Sequence, residues 1–168
     1  MTEPAFTHLN PRGEPHMVDV GGKSATNRLA IAEGYIRTSP ETLAAIDEER
    51  TEKGNVLLVA QLAGIMAAKR TADLIPLCHP LSLSSIEVDL ELDRSLPGVR
   101  ARASARVEAR TGVEMEALTA VMGALLTVYD MCKARDREMT IGGVRLLRKE
   151  GGRSGTWTAD GAQSPTTR

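Results

Sequence analysis

Residues 86–107 read IEVDLELDRSLPGVRARASARV, two strictly alternating runs joined through a proline and a glycine. Ile86, Val88, Leu90 and Leu92 alternate with Glu87, Asp89, Glu91 and Asp93. After Leu96-Pro97-Gly98, the residues Val99, Ala101, Ala103, Ala105 and Val107 alternate with Arg100, Arg102, Ser104 and Arg106. A period of two predicts half-buried strands, and the turn between them predicts a hairpin with an apolar inner face. The outer faces carry opposite charges. A register that sets Glu91 against Arg100 and Asp89 against Arg102 contributes a few tenths of a kcal/mol per pair.

The rest of the chain falls into place around this hairpin. Downstream, Glu114–Ala134 is apolar at helical spacing through Leu118, Val121, Met122, Leu125, Leu126, Val128 and Met131. Met139–Leu147 then reads as a last strand broken by Gly142-Gly143. Upstream, Asn55–Thr71 is apolar on nearly every face, and its length and alanines favour a buried helix. Before it, Ser39-Pro40-Glu41 supplies an N-cap, a proline at the first helical position and an acidic first turn, for a helix running to about Glu49. Leu29–Thr38 reads as a strand. The order is βαββαβ with one inserted helix, which predicts a ferredoxin-like α+β sandwich, an antiparallel sheet packed against helices. One domain over residues 1–157 is expected, with 1–28 an irregular, partly mobile arm and 158–168 a disordered tail. Two helices apolar almost all round exceed what a four-stranded sheet can cover, so burial against other subunits is expected.

Composition narrows the function. The chain of 168 residues is 42% hydrophobic but only 2% aromatic, so its core is built from small and aliphatic side chains. With 21 Lys and Arg against 22 Asp and Glu, the net charge of −1 argues against a nucleic-acid or membrane-surface role. An anion site must therefore be a local cluster. Cys78 and Cys132 have no disulfide or zinc spacing and read as free thiols of a reducing compartment. The N-terminus lacks the apolar core of a signal peptide, and no apolar run approaches the roughly 18 residues of a membrane span. A cytoplasmic protein is expected.

Several charges interrupt the apolar segments. Asp130 and Lys133, three apart in YDMCKA, share a helical face, and Glu114 and Glu116 open the same helix. An ordinary ion pair and simple cap residues would explain them. A pair set among Leu126, Val128 and Met131 would instead be partly desolvated, and a buried lysine can be tuned for proton exchange. In DLIPLCHP, residues 73–80, His79 sits in a proline-bounded loop after Lys69 and Arg70. These cations complete a helix C-terminus or, with His79, form an anion site. His79 has no partner at metal-ligand spacing. Gly21-Gly22-Lys23-Ser24 and Gly151-Gly152-Arg153-Ser154 are not Walker loops, because Met17 and Leu147 stand where the leading glycine belongs. Each can still act as a mobile cationic loop over a polyphosphate.

Taken together, these segments resemble the cyclic pyranopterin monophosphate synthases of molybdenum cofactor biosynthesis, the MoaC family. The resemblance rests on HMVDV at 16–20, KGNV at 53–56, AGIMAAKRTADLIPLCHPL at 63–81, TGVEMEALTA at 111–120, YDMCKA at 129–134 and GGVRLLRKEGGRSG at 142–155. It implies conversion of 3′,8-cyclo-7,8-dihydro-GTP, a cyclic nucleotide triphosphate, into cyclic pyranopterin monophosphate with release of pyrophosphate. It also implies a homohexamer, a trimer of dimers, with active sites at subunit interfaces. Asp130 and Lys133 match the catalytic acid–base positions, and Lys53 matches a further catalytic lysine. Leu77, Cys78, His79, Met115 and Glu116 match substrate-binding segments, with Glu114 alongside. Lys69, Asp19, Lys23, Arg28 and Lys149 match positions around the substrate, and Arg153 is expected to stabilise the departing pyrophosphate. The chain departs from the family pattern at Asn55 and Arg153, where aspartate and lysine are common. The implied steps move protons on nitrogen or oxygen, so no redox cofactor is required, and Mg2+ can accompany the triphosphate. A nucleotide hydrolase using the same cations, or a non-catalytic nucleotide-binding scaffold with a structural ion pair, are the alternatives.

Overall fold

The computed structural model describes residues 8–48, 54–153 and 155–161. Along the chain run β1 (Thr26–Arg37), α1 (Pro40–Asp47), α2 (Val56–Ala68), α3 (Thr71–Leu74), β2 (Ser85–Asp93), β3 (Gly98–Ala109), α4 (Glu114–Cys132), β4 (Thr140–Glu150) and β5 (Trp157–Thr158). The caps follow the sequence. Ser39 Oγ accepts the Thr42 amide at 3.1 Å, with Pro40 in the first turn. Asn55 Oδ1 accepts the Leu58 amide at 2.9 Å, which makes Asn55 the cap of α2 and not its first residue.

The sheet order is β2-β3-β1-β4-β5, every pair antiparallel. This is the ferredoxin-like α+β arrangement, with β5 added at one edge. In the hairpin, Glu91 lies opposite Arg100 and Asp89 opposite Arg102, the register that the alternating charges predict. Two boundaries differ from expectation. Thr26–Arg28 belong to β1 and not to an arm, because β3 continues to Ala109 and offers them partners as far as Thr26. Thr158 belongs to a strand and not to a tail, because β5 pairs Trp157 with Lys149 and Thr158 with Arg148. Gly142 and Gly143 kink β4 at a register shift where the Tyr35 ring lies against them; a Cβ at Gly143, whose φ is +61°, would sit 2.7 Å from that ring.

The core lies between the sheet and α4, where Ala117, Ala120, Val121, Ala124, Leu125 and Val128 cover the inward Ala30, Ala32, Ile36, Val99 and the β3 alanines. α4 has the length and apolarity of a membrane span, which the sequence reading did not anticipate, but here its buried face packs on a sheet. α2 crosses α4 at two glycines. A Cβ on Gly64 would lie 2.8 Å from the Ala120 carbonyl oxygen, and one on Gly123 would lie 2.5 Å from the Ala67 Cβ. Only glycine permits that approach. The far side of α2 stays uncovered in the single chain, with Leu58 at 62% and Leu62 at 58% exposure, and Val59 and Met66 beside them. The expectation of a buried α2 thus holds for one face only.

Candidate active site

The end of β3 and the start of α4 wall one side of a cleft of about 670 Å³. Its other walls are the loop entering β1 and the glycine turn leaving β4. Lys23, Arg28, Glu114, Lys149 and Arg153, five of the residues expected around the substrate, line it together. The two glycine stretches rejected as Walker loops face this one cleft. Gly22-Lys23-Ser24 leads into a strand, not a helix, as a Walker loop would require. At Gly152 a side chain would collide with the Arg28 guanidinium, so the glycine lets that arginine through. Arg28 in turn donates from Nε to the Ala109 carbonyl at 3.3 Å, fastening β1 to the end of β3. Lys149 Nζ donates to Glu114 Oε1 at 3.1 Å.

α4 opens on this cleft without a side-chain cap at Val113, so its first amides and the positive end of its dipole are available to an anion. One turn in, Glu116 is buried at 4% exposure. Burial raises its carboxyl above the ordinary range and the neighbouring Glu114 charge adds to this, although a backbone hydrogen bond opposes it. Met115 beside it is exposed. Leu77, Cys78 and His79 lie half-buried in the loop after α3. Burial first, with a contribution from the Glu116 charge, raises the Cys78 thiol above its ordinary range. Asp19 is outside the cleft lining but shapes its entrance loop by accepting the Gly21 amide at 2.7 Å. Lys69 is the exposed C-cap of α2, and neither it nor His79 lines the cleft, so the two are not brought into this pocket together.

The pair expected to be catalytic sits elsewhere. Lys133 Nζ donates to Asp130 Oδ1 at 2.6 Å at the far end of α4, and the side chains are 54% and 56% exposed. The expectation of a desolvated pair is therefore corrected. Leu126, Asp130 and Lys133 follow one another at i, i+4 and i+7 on the face turned away from the sheet, while Val128, Met131 and Cys132 are buried. An exposed pair of this kind contributes little to stability. Lys53 lies outside the described residues. Sequence reasoning also missed Arg110, Thr111 and Glu150, which line the cleft. The available signal was position: Arg110 immediately precedes the TGVEMEALTA stretch.

A family model described as the MoaC family matches residues 17–152. The chain belongs to the MoaC family. Curated relatives from Brucella ovis, Brucella melitensis biotype 2 and Brucella abortus are each 58% identical over 152 residues, which is 90% of this chain and 92% of theirs. All three are named cyclic pyranopterin monophosphate synthase. For a MoaC-family chain, the cleft walls fall within the matched span up to Gly152, and Arg153 follows it directly.

Proposed function

We propose that this chain is an enzyme of molybdenum cofactor biosynthesis, a synthase that converts 3′,8-cyclo-7,8-dihydro-GTP into cyclic pyranopterin monophosphate and releases pyrophosphate. The observation that carries the reading is the single cleft in which Lys23, Arg28, Lys149 and Arg153 surround Glu114 at an uncapped helix start. Such a place favours a small nucleotide bearing several phosphates. The name shared by relatives 58% identical along nearly the whole chain supports the same product.

Within that reading, the cleft cations hold the phosphates and offset charge on the leaving pyrophosphate. His79, Glu114 and Glu116 hold the guanine-derived ring, and a Glu116 carboxyl biased toward its protonated form can donate a hydrogen bond there. Leu77, Cys78 and Met115 form the adjoining wall, while Asp19 and Lys69 border the substrate from the entrance loop and from the end of α2. Lys133 and Lys53 exchange protons as general acid and base, with Asp130 orienting Lys133. Glu114 is engaged by Lys149 and Glu150 by Arg148. No group of three His, Cys, Asp or Glu able to hold a metal gathers among the described residues. Magnesium fits this site as company for the substrate phosphates, and the proton transfers do not call on it.

Residues 114 and 130 lie about 24 Å apart along one helix, at ~1.5 Å per residue, too far for one nucleotide-sized reacting centre. That separation, with the uncovered apolar face of α2, supports a homohexamer in which one copy's Lys133 reaches the cleft of another. A cytoplasmic location fits the substrate. The test is incubation with the cyclic nucleotide and magnesium, reading pyrophosphate and a pterin that fluoresces after oxidation. Both products together are expected. Phosphate release from GTP itself would favour a hydrolase, and tight binding without either product a scaffold.

A further inference from the structure

The cations of the cleft are not equivalent. Lys149 is held by Glu114, and Arg28 is turned to backbone carbonyls. Lys23, Arg110 and Arg153 have no hydrogen-bond or ion-pair partner for their side chains among the described residues. Lys23 and Arg153 were expected at the substrate; Arg110 was not. Of the arginines before it on β3, Arg106 faces Ser85 and Leu29, while the other two meet acids. Arg100 binds Asp93, and Arg102 lies across from Asp89 and Glu33. Arg110 stands one residue past the strand, beyond the last acid of the facing β2, and it lines the cleft.

The Arg110 backbone is held as well. Its carbonyl and that of Ala109 accept from the Arg28 guanidinium, at 3.5 and 3.3 Å. The loop that carries Arg110 runs through Thr111 and Gly112 directly into the uncapped start of α4. A fixed backbone, a free guanidinium and an uncapped helix start thus converge on one cleft whose other free cations are Lys23 and Arg153. Guanidinium suits a phosphate because its planar donors bind two oxygens at once.

We propose that Arg110 is a further substrate-binding residue, which grips the polyphosphate of the substrate from the β3–α4 loop opposite Lys23 and Arg153. This rests on the proposed nucleotide substrate, so the test begins with a probe that needs no turnover. Inorganic tripolyphosphate is titrated calorimetrically into the full-length protein, its Arg110→Gln and Arg110→Lys variants, and Arg94→Gln. Arg94→Gln removes the same charge at the opposite end of the β2–β3 hairpin. Loss of one charge-assisted, two-point contact at a partly exposed site should weaken binding about tenfold in Arg110→Gln. Arg110→Lys should recover part of the loss, and Arg94→Gln should match the parent. With the cyclic nucleotide, Arg110→Gln should raise KM by a similar factor and change kcat little, as expected of a contact made equally in ground and transition states. Equal tripolyphosphate affinity in parent and Arg110→Gln would overturn the role of Arg110, as would no binding by the parent. Binding that responds to Arg110, in a protein that makes no pterin, would leave the polyphosphate seat standing and sink the synthase reading instead.

Discussion

The two ends of α4 carry charge in opposite ways. At Glu114 the helix opens on a walled cleft, where carboxylates, lysine and arginines are held by several elements at once. At the other end Asp130 pairs with Lys133, and both side chains are more than half exposed. The first end has the form of a binding site; the second has reactive groups without walls. The difference teaches that the walled cleft and the Asp130–Lys133 pair are separate features of one chain; under the proposed function they are two half-sites. Burial of the Asp130–Lys133 pair, expected from the sequence, would have to come from a neighbouring copy.

The strongest way to break this comparison is complementation. Lys133→Ala and Lys149→Ala should each lower product formation by about a hundredfold or more, the usual scale for losing an acid–base or charge-stabilising group. If the half-sites meet between copies, hexamers assembled from an equal mixture of the two variants should recover about a quarter of parental turnover, the random-pairing yield of a symmetric assembly. Mixed hexamers no better than either variant would show that both lysines serve a site within one chain.

A smaller effect sharpens the same contrast through α2. Leu62 is exposed beside Leu58 and Met66. Leu62→Asp should leave the fold intact by circular dichroism, because that face touches no core, but it should split the assembly to smaller species in light scattering. Turnover should fall with assembly while tripolyphosphate still binds the cleft of the separated chain. An unchanged hexamer would remove this face from the interface.

The smallest effect concerns the cleft end alone. Burial first, and then the charge of Glu114, raise the Glu116 carboxyl above its ordinary 4.5, so the folded chain favours its protonated form. That contribution to stability is fully present below about pH 4.5 and is lost as pH rises through the raised pKa. Glu116→Gln, neutral throughout, should therefore gain denaturant resistance over the parent as the pH goes from about 5 to 8. A gain that stays the same across that range would remove the burial cost.

The four long strands, both long helices and the hairpin register were legible because each depends on local periodicity or on neighbouring charges. Strict alternation in 86–107 admits one inward face, and its acid and base rows admit the pairing found. The same locality explains what was misread. From sequence, Leu126, Val128 and Met131 look like a single apolar setting for Asp130, yet Leu126 lies on the uncovered face with the pair. Which side of an apolar helix a sheet covers is set by long-range packing. Arg110 was overlooked for a related reason: on the chain it is one more arginine of a strand, and only the meeting of β1, β3, α4 and β4 puts it at a cleft.

By itself the sequence determined the order of the seven longer elements, though not α3 or β5, with the pairing of the hairpin, the family motifs and most of the charged residues around the cleft, because those reside in periodicity and short strings. The tertiary structure decided which charges share a wall and which stand apart. It put Lys23 and Arg153, 130 positions distant in the chain, in the lining of one cleft, and it left Lys133 at the far end of the helix that begins there. Those outcomes follow from strand order and from the fixed rise of a helix, and neither is a property of any short stretch of sequence.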